Sequence, residues 1–219
     1  MENRDKVSIL MLTYNAPLYV MQSIWGVKRR TKTNGFRYEL IVVDNRSKLV
    51  TRLLVKVLKI VGLIDILYMN PHNSLFAGGN NIAAKLADED TKLYLLLNSD
   101  IRINDSNWLL NLMEHHTEGV TAYGMVDNPR RADGYCYLID ARLYNKYPLD
   151  EKYQWWWSIT KQQAMLLGEA EVQGYRNHEA WLHHYGGKSG KGFKDAKGMD
   201  VDISEVKAWF EKGNPVNEL

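Results

Sequence analysis

The chain predicts an α/β protein whose central sheet is mostly parallel and flanked by helices. Two observations carry that expectation. Short apolar runs alternate with segments of helical apolar spacing through the first hundred residues, the order that βαβ units produce. The runs are also apolar without a polar alternation, as strands buried on both faces are. They stop abruptly at polar residues: Thr13-Tyr14-Asn15, Asp44-Asn45-Arg46-Ser47 and Asn98-Ser99-Asp100. The carboxyl ends of such strands line the crevice where open α/β sheets bind ligands.

The elements follow in order. Residues 7–13 read as the first strand and 16–30 as a helix. Pro17 is tolerated in that helix's first turn, and Lys28, Arg29 and Arg30 suit the negative end of its dipole. Residues 38–43 give the second strand, 48–60 a helix, 64–69 the third strand and 70–73 a turn. A helix with a glycine-rich entry spans 78–86, and the fourth strand spans 92–97. Right-handed crossovers make these strands neighbours in one sheet. Beyond residue 103 the texture is less regular. A helix is expected at 108–116, with Asp105 or Ser106 as its cap. Strands are expected at 120–126 and 135–139. A helix follows Trp155-Trp156-Trp157, residues 186–198 form a Gly- and Lys-rich loop, and 203–212 form a short helix with Ser204 near its start.

Bulk properties narrow the function classes. With 219 residues, 45% hydrophobic and 25% charged, the chain has the balance of a globular protein that can bury a sizeable core. A formal net charge of +2 is too small to argue for a polyanionic partner, and no nucleic acid is expected. The basic run Lys28-Arg29-Arg30-Thr31-Lys32 is a local exception that would suit a nucleic acid or an anionic lipid head group. The single cysteine, Cys136, excludes an intrachain disulfide and reads as a small apolar filler. No apolar run approaches the roughly 20 residues of a membrane span. The N-terminus lacks a signal peptide's apolar core, so a cytoplasmic location is expected. Seven Trp and 13 Tyr supply aromatic platforms or core filling.

Asn98 and Asp100 offer two oxygen ligands one residue apart, suited to a hard divalent cation such as Mg²⁺ or Mn²⁺; a polar turn is the plainer reading. Asp44 offers a carboxylate acceptor at the end of the second strand, or closes an Asx turn while Ser47 caps the next helix. Phe76-Ala77-Gly78-Gly79-Asn80 precedes a helix, where glycines let backbone N–H groups approach a ligand. Asn81 follows one residue on.

Taken in order, residues 7–15, 41–47, 73–81 and 95–100 resemble glycosyltransferase family 2, inverting enzymes of the GT-A fold, and within it the rhamnosyltransferase-like branch. The resemblance implies a mostly parallel, Rossmann-like sheet and a single domain over residues 1–219. Residues 1–103 would be its nucleotide-sugar half and 104–219 its acceptor half. It implies a metal-dependent transfer of sugar from a UDP- or dTDP-sugar to a hydroxyl, on a glycan, with inversion and with Mn²⁺ or Mg²⁺. Donor-binding roles fall to Thr13, Tyr14, Asn15, Asp44, Asn45, Phe76, Gly78, Gly79, Asn80, Asn98, Ser99 and Lys188, and metal-ligand roles to Asp100, Asn98 and His184. The last comes from a His-x-Gly-Gly-x-Ser stretch, His184 to Ser189, with His183 as the other register. Lys188, Lys191 and Lys194 would close over the diphosphate.

The pattern breaks at the general base. The family's acid stands eleven or twelve residues before a Gly; counting back from Gly168 reaches Trp156 and Trp157. Glu151, Asp150 and Asp133 remain as candidate bases, and Trp155, Trp156 and Trp157 as an acceptor platform, a lid or a core wedge. A missing base keeps a non-catalytic sugar-nucleotide or glycan-binding module open. A nucleotidyltransferase is a further alternative, though Thr13-to-Pro17 supplies no basic glycine loop.

Overall fold

The computed structural model describes residues 6–153, 156–166, 168–188, 203–210 and 216–219. Strands β1 (Lys6–Thr13), β2 (Arg37–Asp44), β3 (Ile66–Met69) and β4 (Leu93–Asn98) alternate with helices α1 (Pro17–Arg30), α2 (Leu49–Ile60) and α3 (Leu75–Lys85). Then come β5 (Ile101–Ile103), α4 (Trp108–His115), β6 (Gly119–Tyr123), β7 (Met125–Asp127), β8 (Arg130–Ala132) and β9 (Cys136–Asp140). Helices α5 (Ala141–Lys146) and α6 (Trp156–Leu166) precede β10 (Glu171–Tyr175), β11 (Leu182–His184), α7 (Ile203–Phe210) and β12 (Val216–Glu218).

Eight strands form one sheet in the order β12-β10-β6-β9-β4-β1-β2-β3. Every pairing in it is parallel except those of β9, which runs antiparallel to both β4 and β6. The expected mostly parallel, helix-flanked sheet is therefore present. The first strand's core positions Val7, Ile9, Leu10 and Met11 have no exposed surface, which is why the run carries no alternation. Steps from β1 to β2 and from β2 to β3 go the same way across the sheet, so right-handed crossovers put α1 and α2 side by side on one face. The return from β3 to β4 puts α3 on the other.

Several boundaries differ from the sequence reading. Helix α3 begins at Leu75 rather than Gly78, so Gly78 and Gly79 lie inside the helix. The expected strand 120–126 is two strands, β6 and β7, broken at Gly124 (φ 91°), after which β7 leaves to pair with β8. Ser47 does not cap α2: the N-cap position is Lys48, which has no side-chain cap bond, and the Ser47 hydroxyl accepts instead from Asn15 N–H at 2.8 Å. Neither Asp105 nor Ser106 is the cap of α4, whose N-cap is Asn107; Asp105 accepts from Asn107 N–H at 2.7 Å. Trp156 and Trp157 form the first turn of α6 rather than preceding it. The expected terminal helix is present over Ile203–Phe210, and its last two expected residues, 211 and 212, lie outside the described residues. Most of the 186–198 loop, with Lys191 and Lys194, lies outside the described residues, as does Trp155.

Candidate active site

Register aligns the carboxyl ends of the central strands. Thr13 stands opposite Asp44, Asp44 opposite Met69, and Leu12 opposite Asn98. Polar residues that end these strands are thereby gathered along one edge. Thr13 donates its hydroxyl to Asp44 Oδ1 at 3.1 Å, and Ser47 N–H donates to Asp44 Oδ2 at 3.1 Å. Asp44 is fully buried, so here it closes the Asx turn and both its oxygens already serve the protein. Lys48 N–H donates to Asn15 Oδ1 at 2.8 Å. Asn45 is held by Asn70 and Ser74, whose amide and hydroxyl donate to its Oδ1 at 3.0 and 2.9 Å. Sequence reading missed Asn70 and Ser74, because 70–73 carried only the signal of a turn.

Backbone strain collects at this edge. Asn15 (φ 58°), Ala16 (φ 51°), Arg46 (φ 60°) and Leu75 (φ 59°) are all left-handed. For Ala and above all Leu that conformation costs about 1–3 kcal/mol and persists where surrounding structure enforces it. Such strain clusters at ligand sites.

The glycines of α3 have packing duties. A Cβ on Gly79 would stand 2.9 Å from Asn45 Nδ2 and from Leu12, so Gly79 lets the helix press onto the sheet edge. At Gly78 it would stand 3.2 Å from Glu151 Oε2. Asn80 is buried and turns its amide back to the Phe76 carbonyl at 3.0 Å. Phe76 packs partly buried against the core. Tyr14 is half-exposed at the edge and Ser99 is buried.

Asp100 is 2% exposed. Lys188 backbone N–H donates to its Oδ2 at 3.1 Å, so the contact of Lys188 here is through its main chain. His184 Nε2 stands 3.2 Å from Asp100 Oδ1 and 3.2 Å from the Asn98 side-chain nitrogen. Burial would raise the Asp100 carboxyl, but His184 and the Lys188 N–H outweigh it and hold its pKa below the usual carboxylate value. Two-residue periodicity along β11 settles which histidine faces this cluster. His184 lies opposite Ile101, while His183 lies opposite Arg102 and pairs with Glu179 at 2.8 Å. The His184 ring is stacked on Tyr135 with centroids 4.2 Å apart, and the Tyr135 carbonyl accepts from Asn98 N–H at 2.8 Å. Tyr135 is a site residue that the sequence reading placed only in a strand.

The cluster fits a divalent cation on its own chemistry. Asp100 Oδ1 is buried, and its one near polar neighbour is His184 Nε2 at 3.2 Å, itself a metal-ligand nitrogen, so the two atoms can face a cation between them. Among the described residues no three His, Cys, Asp or Glu side chains converge. The third donor is the Asn98 amide, whose oxygen faces the cluster if the amide is flipped. An O,O,N set of this kind suits Mn²⁺ better than Mg²⁺.

Residues 8–175 match Glycosyl transferase family 2. The chain belongs to that family. Among solved structures it is similar to the mannosyltransferase PcManGT from Pyrobaculum calidifontis, in complex with GDP-Man and Mn²⁺. Identity there is 16% over 81% of this chain and 56% of that one, with a TM-score of 0.66. It is also similar to residues 1–349 of TarS from S. aureus with UDP-GlcNAc (17% identity, 66% and 48% coverage, TM-score 0.53). A third likeness is to GalNAc-T7 with UDP, GalNAc and Mn²⁺ (13% identity, 74% and 40% coverage, TM-score 0.58). These likenesses establish the GT-A fold. The chain spans about half the length of the solved structures it matches. No curated protein matches it.

The three candidate acids of this family 2 chain are dispersed. Glu151 is exposed and accepts from Asn81 Nδ2 at 3.1 Å. Asp150 is ion-paired with Lys161; burial would raise its carboxyl, but Lys161 and the Lys152 N–H bring it lower. Both acids line a cavity of about 590 Å³ with Asn81, Tyr144 and Lys161, and that lining includes neither Asp100 nor His184. Asp133 lies two residues before Tyr135. Its segment packs on the start of α6: Arg131 stacks over the Trp157 ring at 5.9 Å, and a Cβ on Gly134 would meet Ile159 at 2.6 Å. Trp156 and Trp157 are half-buried and meet edge to face.

Proposed function

We propose that the chain transfers a sugar from a UDP- or dTDP-sugar to a hydroxyl of a glycan acceptor, with inversion at the anomeric carbon and with Mn²⁺ or Mg²⁺. One observation carries this reading: the convergence of Asn98, Asp100 and His184 at the carboxyl edge of a family 2 sheet. Solved structures of the same fold carry GDP-Man, UDP-GlcNAc or UDP, two of them with Mn²⁺, which supports a nucleotide-sugar donor.

Asp100, Asn98 and His184 would hold the cation, which supplies positive charge to the departing diphosphate. The rest falls to the chain. Asp44 retains acceptor capacity beyond Thr13 and Ser47, since a carboxylate accepts about four hydrogen bonds; a pyrimidine N3–H suits it and a cytosine does not. Tyr14 and Asn15 border the base and ribose, and the start of α3 borders the sugar. We assign the general base to Asp133. It lies beside the first turn of α6, where the family's acid would stand and where this chain has Trp156 and Trp157. Asp133 would take the proton of the acceptor hydroxyl as oxygen attacks the anomeric carbon opposite the nucleotide. Trp156 and Trp157 offer indole faces to the acceptor sugar.

Thermal melts against UDP-glucose, UDP-galactose, UDP-GlcNAc, dTDP-rhamnose and GDP-mannose, each with Mn²⁺ or EDTA, test the donor reading without needing the acceptor. A true donor raises the melting temperature by mass action, and only with metal. A GDP-mannose response alone would overturn the pyrimidine assignment. The tryptophans at the base position also favour a second reading, a binding module without turnover. Donor binding without either hydrolysis or transfer would decide for it.

A further inference from the structure

The outer faces of α1 and α2 carry an apolar surface that the donor site does not use. On α2, Leu49, Leu53, Val57 and Ile60 recur at i, i+4, i+8 and i+11, all more than half exposed, with Ile60 at 83%. Beside them on α1, Leu18, Met21 and Trp25 are exposed as well. The two helices touch, so the rows form one patch. Single exposed apolar residues are ordinary; a contiguous patch of this kind marks a docking surface.

Charge identifies the occupant. Neither helix contains an Asp or Glu, while α1 carries Lys28, Arg29 and Arg30, and α2 carries Arg52, Lys56 and Lys59. On a chain of net charge +2 that is a strong local excess. Lys28 pairs with Asp65, Lys59 donates to the Asp65 carbonyl, and Arg30 donates to the Ile103 carbonyl. Arg29 stacks on Trp25 at 5.2 Å. Arg52 and Lys56 are exposed and have no partner among the described residues. Protein–protein interface cores are depleted of lysine, whereas here the cations are interleaved with the apolar row. Apolar side chains, an exposed tryptophan and long cationic stems on one surface are the pattern of helices that lie in a lipid interface.

We infer that the α1–α2 face docks on an anionic lipid bilayer. The patch starts at Leu18 and Leu49, beside the sheet edge that holds Asn15 and Asp44, and runs away from it along both helices. Docking would therefore set the mouth of the site next to the lipid surface. No helix among the described residues is long and apolar enough to cross a membrane, so the contact is peripheral. The inference is independent of which sugar is transferred.

Flotation of the full chain with vesicles of phosphatidylcholine, with and without phosphatidylglycerol, at low and high salt, tests it. The chain should float with the anionic vesicles only, and less at high salt. Leu53→Gln/Ile60→Gln should abolish flotation. Arg52→Gln/Lys56→Gln should weaken it roughly thirtyfold, since each cation near the surface contributes roughly fivefold. All four positions are exposed, and unchanged thermal melts would show both variants folded. Failure to float with any vesicle, or equal flotation of wild type and both variants, would overturn the inference. So would a solution dimer that Leu53→Gln/Ile60→Gln dissociates, because the face would then be a subunit interface.

Discussion

His184 Nε2 lies 3.2 Å from Asp100 Oδ1, and a three-residue antiparallel pairing of β11 with β5 brings them together across 84 residues of chain. His183, one residue earlier on the same short strand, faces Glu179 instead. The two histidines therefore make an internal control. His184→Ala should weaken Mn²⁺-dependent donor binding by more than the roughly 10–100-fold that losing an outer partner of a metal ligand costs. His183→Ala should leave it within about twofold. Isothermal titration with Mn²⁺ and donor reads both. Equal losses in the two variants would break the assignment.

The assignment of Asp133 over the other acids is a kinetic question. A general base contributes typically about 10²–10⁴-fold, so Asp133→Asn should lower kcat by that order while donor affinity holds. Glu151→Gln and Asp150→Asn should change kcat by less than about tenfold. If Glu151→Gln is the variant that loses turnover, the base sits in the cavity beside α3 instead.

Neighbouring glycines of α3 should fail differently. Gly79→Ala drives a methyl against Asn45 and Leu12 at 2.9 Å, an overpacking cost of about 1–3 kcal/mol. The gain in helix propensity offsets about 1 kcal/mol of it. The net cost of up to about 2 kcal/mol should appear in calorimetry as a melting temperature lower by up to about 8 °C for a chain of this size. Gly78→Ala meets Ser74 Cβ at 3.1 Å and the Glu151 carboxylate at 3.2 Å, a milder crowding than at Gly79, and its melting temperature should fall by less than that of Gly79→Ala.

A pH dependence follows from Lys6. Its ammonium is ion-paired with Asp88 and Asp90 and stands 3.6 Å from Glu39. Burial would lower its pKa, but those acids outweigh it and hold the folded value above 10.5. A group raised on folding gives stability that is complete below its unfolded pKa and fades as pH climbs through the folded one. Lys6→Gln should cost about 1–2 kcal/mol at neutral pH, a modest figure because Asp88 and Asp90 are half-exposed. That difference from wild type should be constant up to about pH 10 and shrink above it in urea melts. A difference that grows with pH would refute the account.

Much of the sheet was legible because β1, β2 and β4 are buried on both faces and say so in unbroken apolar runs. Ends of elements were less legible. Leu75 starts α3 from a left-handed φ that no propensity signals. The strand at residues 120–126 was read through Gly124, whose positive φ redirects the chain into the β7–β8 hairpin. Asn98 and Asp100 stood out as polar residues closing an apolar run, but the stacking of His184 on Tyr135 depends on β11 finding β5, which no local pattern encodes. The exposed row on α2 did leave a sign. Eight of the twelve residues Leu49–Ile60 are Leu, Val or Ile, more than one buried face of a helix can absorb.

The reversed direction of β9 has a consequence for how such a protein can change. Thr13, Asp44 and Asn98, proposed to bind the donor, reach the candidate site as the chain leaves the sheet, whereas Asp133 and Tyr135 reach it as the chain enters. Changes at the tip of the β7–β8 hairpin, beyond the Ala132–Gln163 hydrogen bonds that tie it to α6, would therefore leave the register of β1, β2 and β4 undisturbed. With Asp133 as the proposed base, diversification of acceptor choice would be recorded at that tip first.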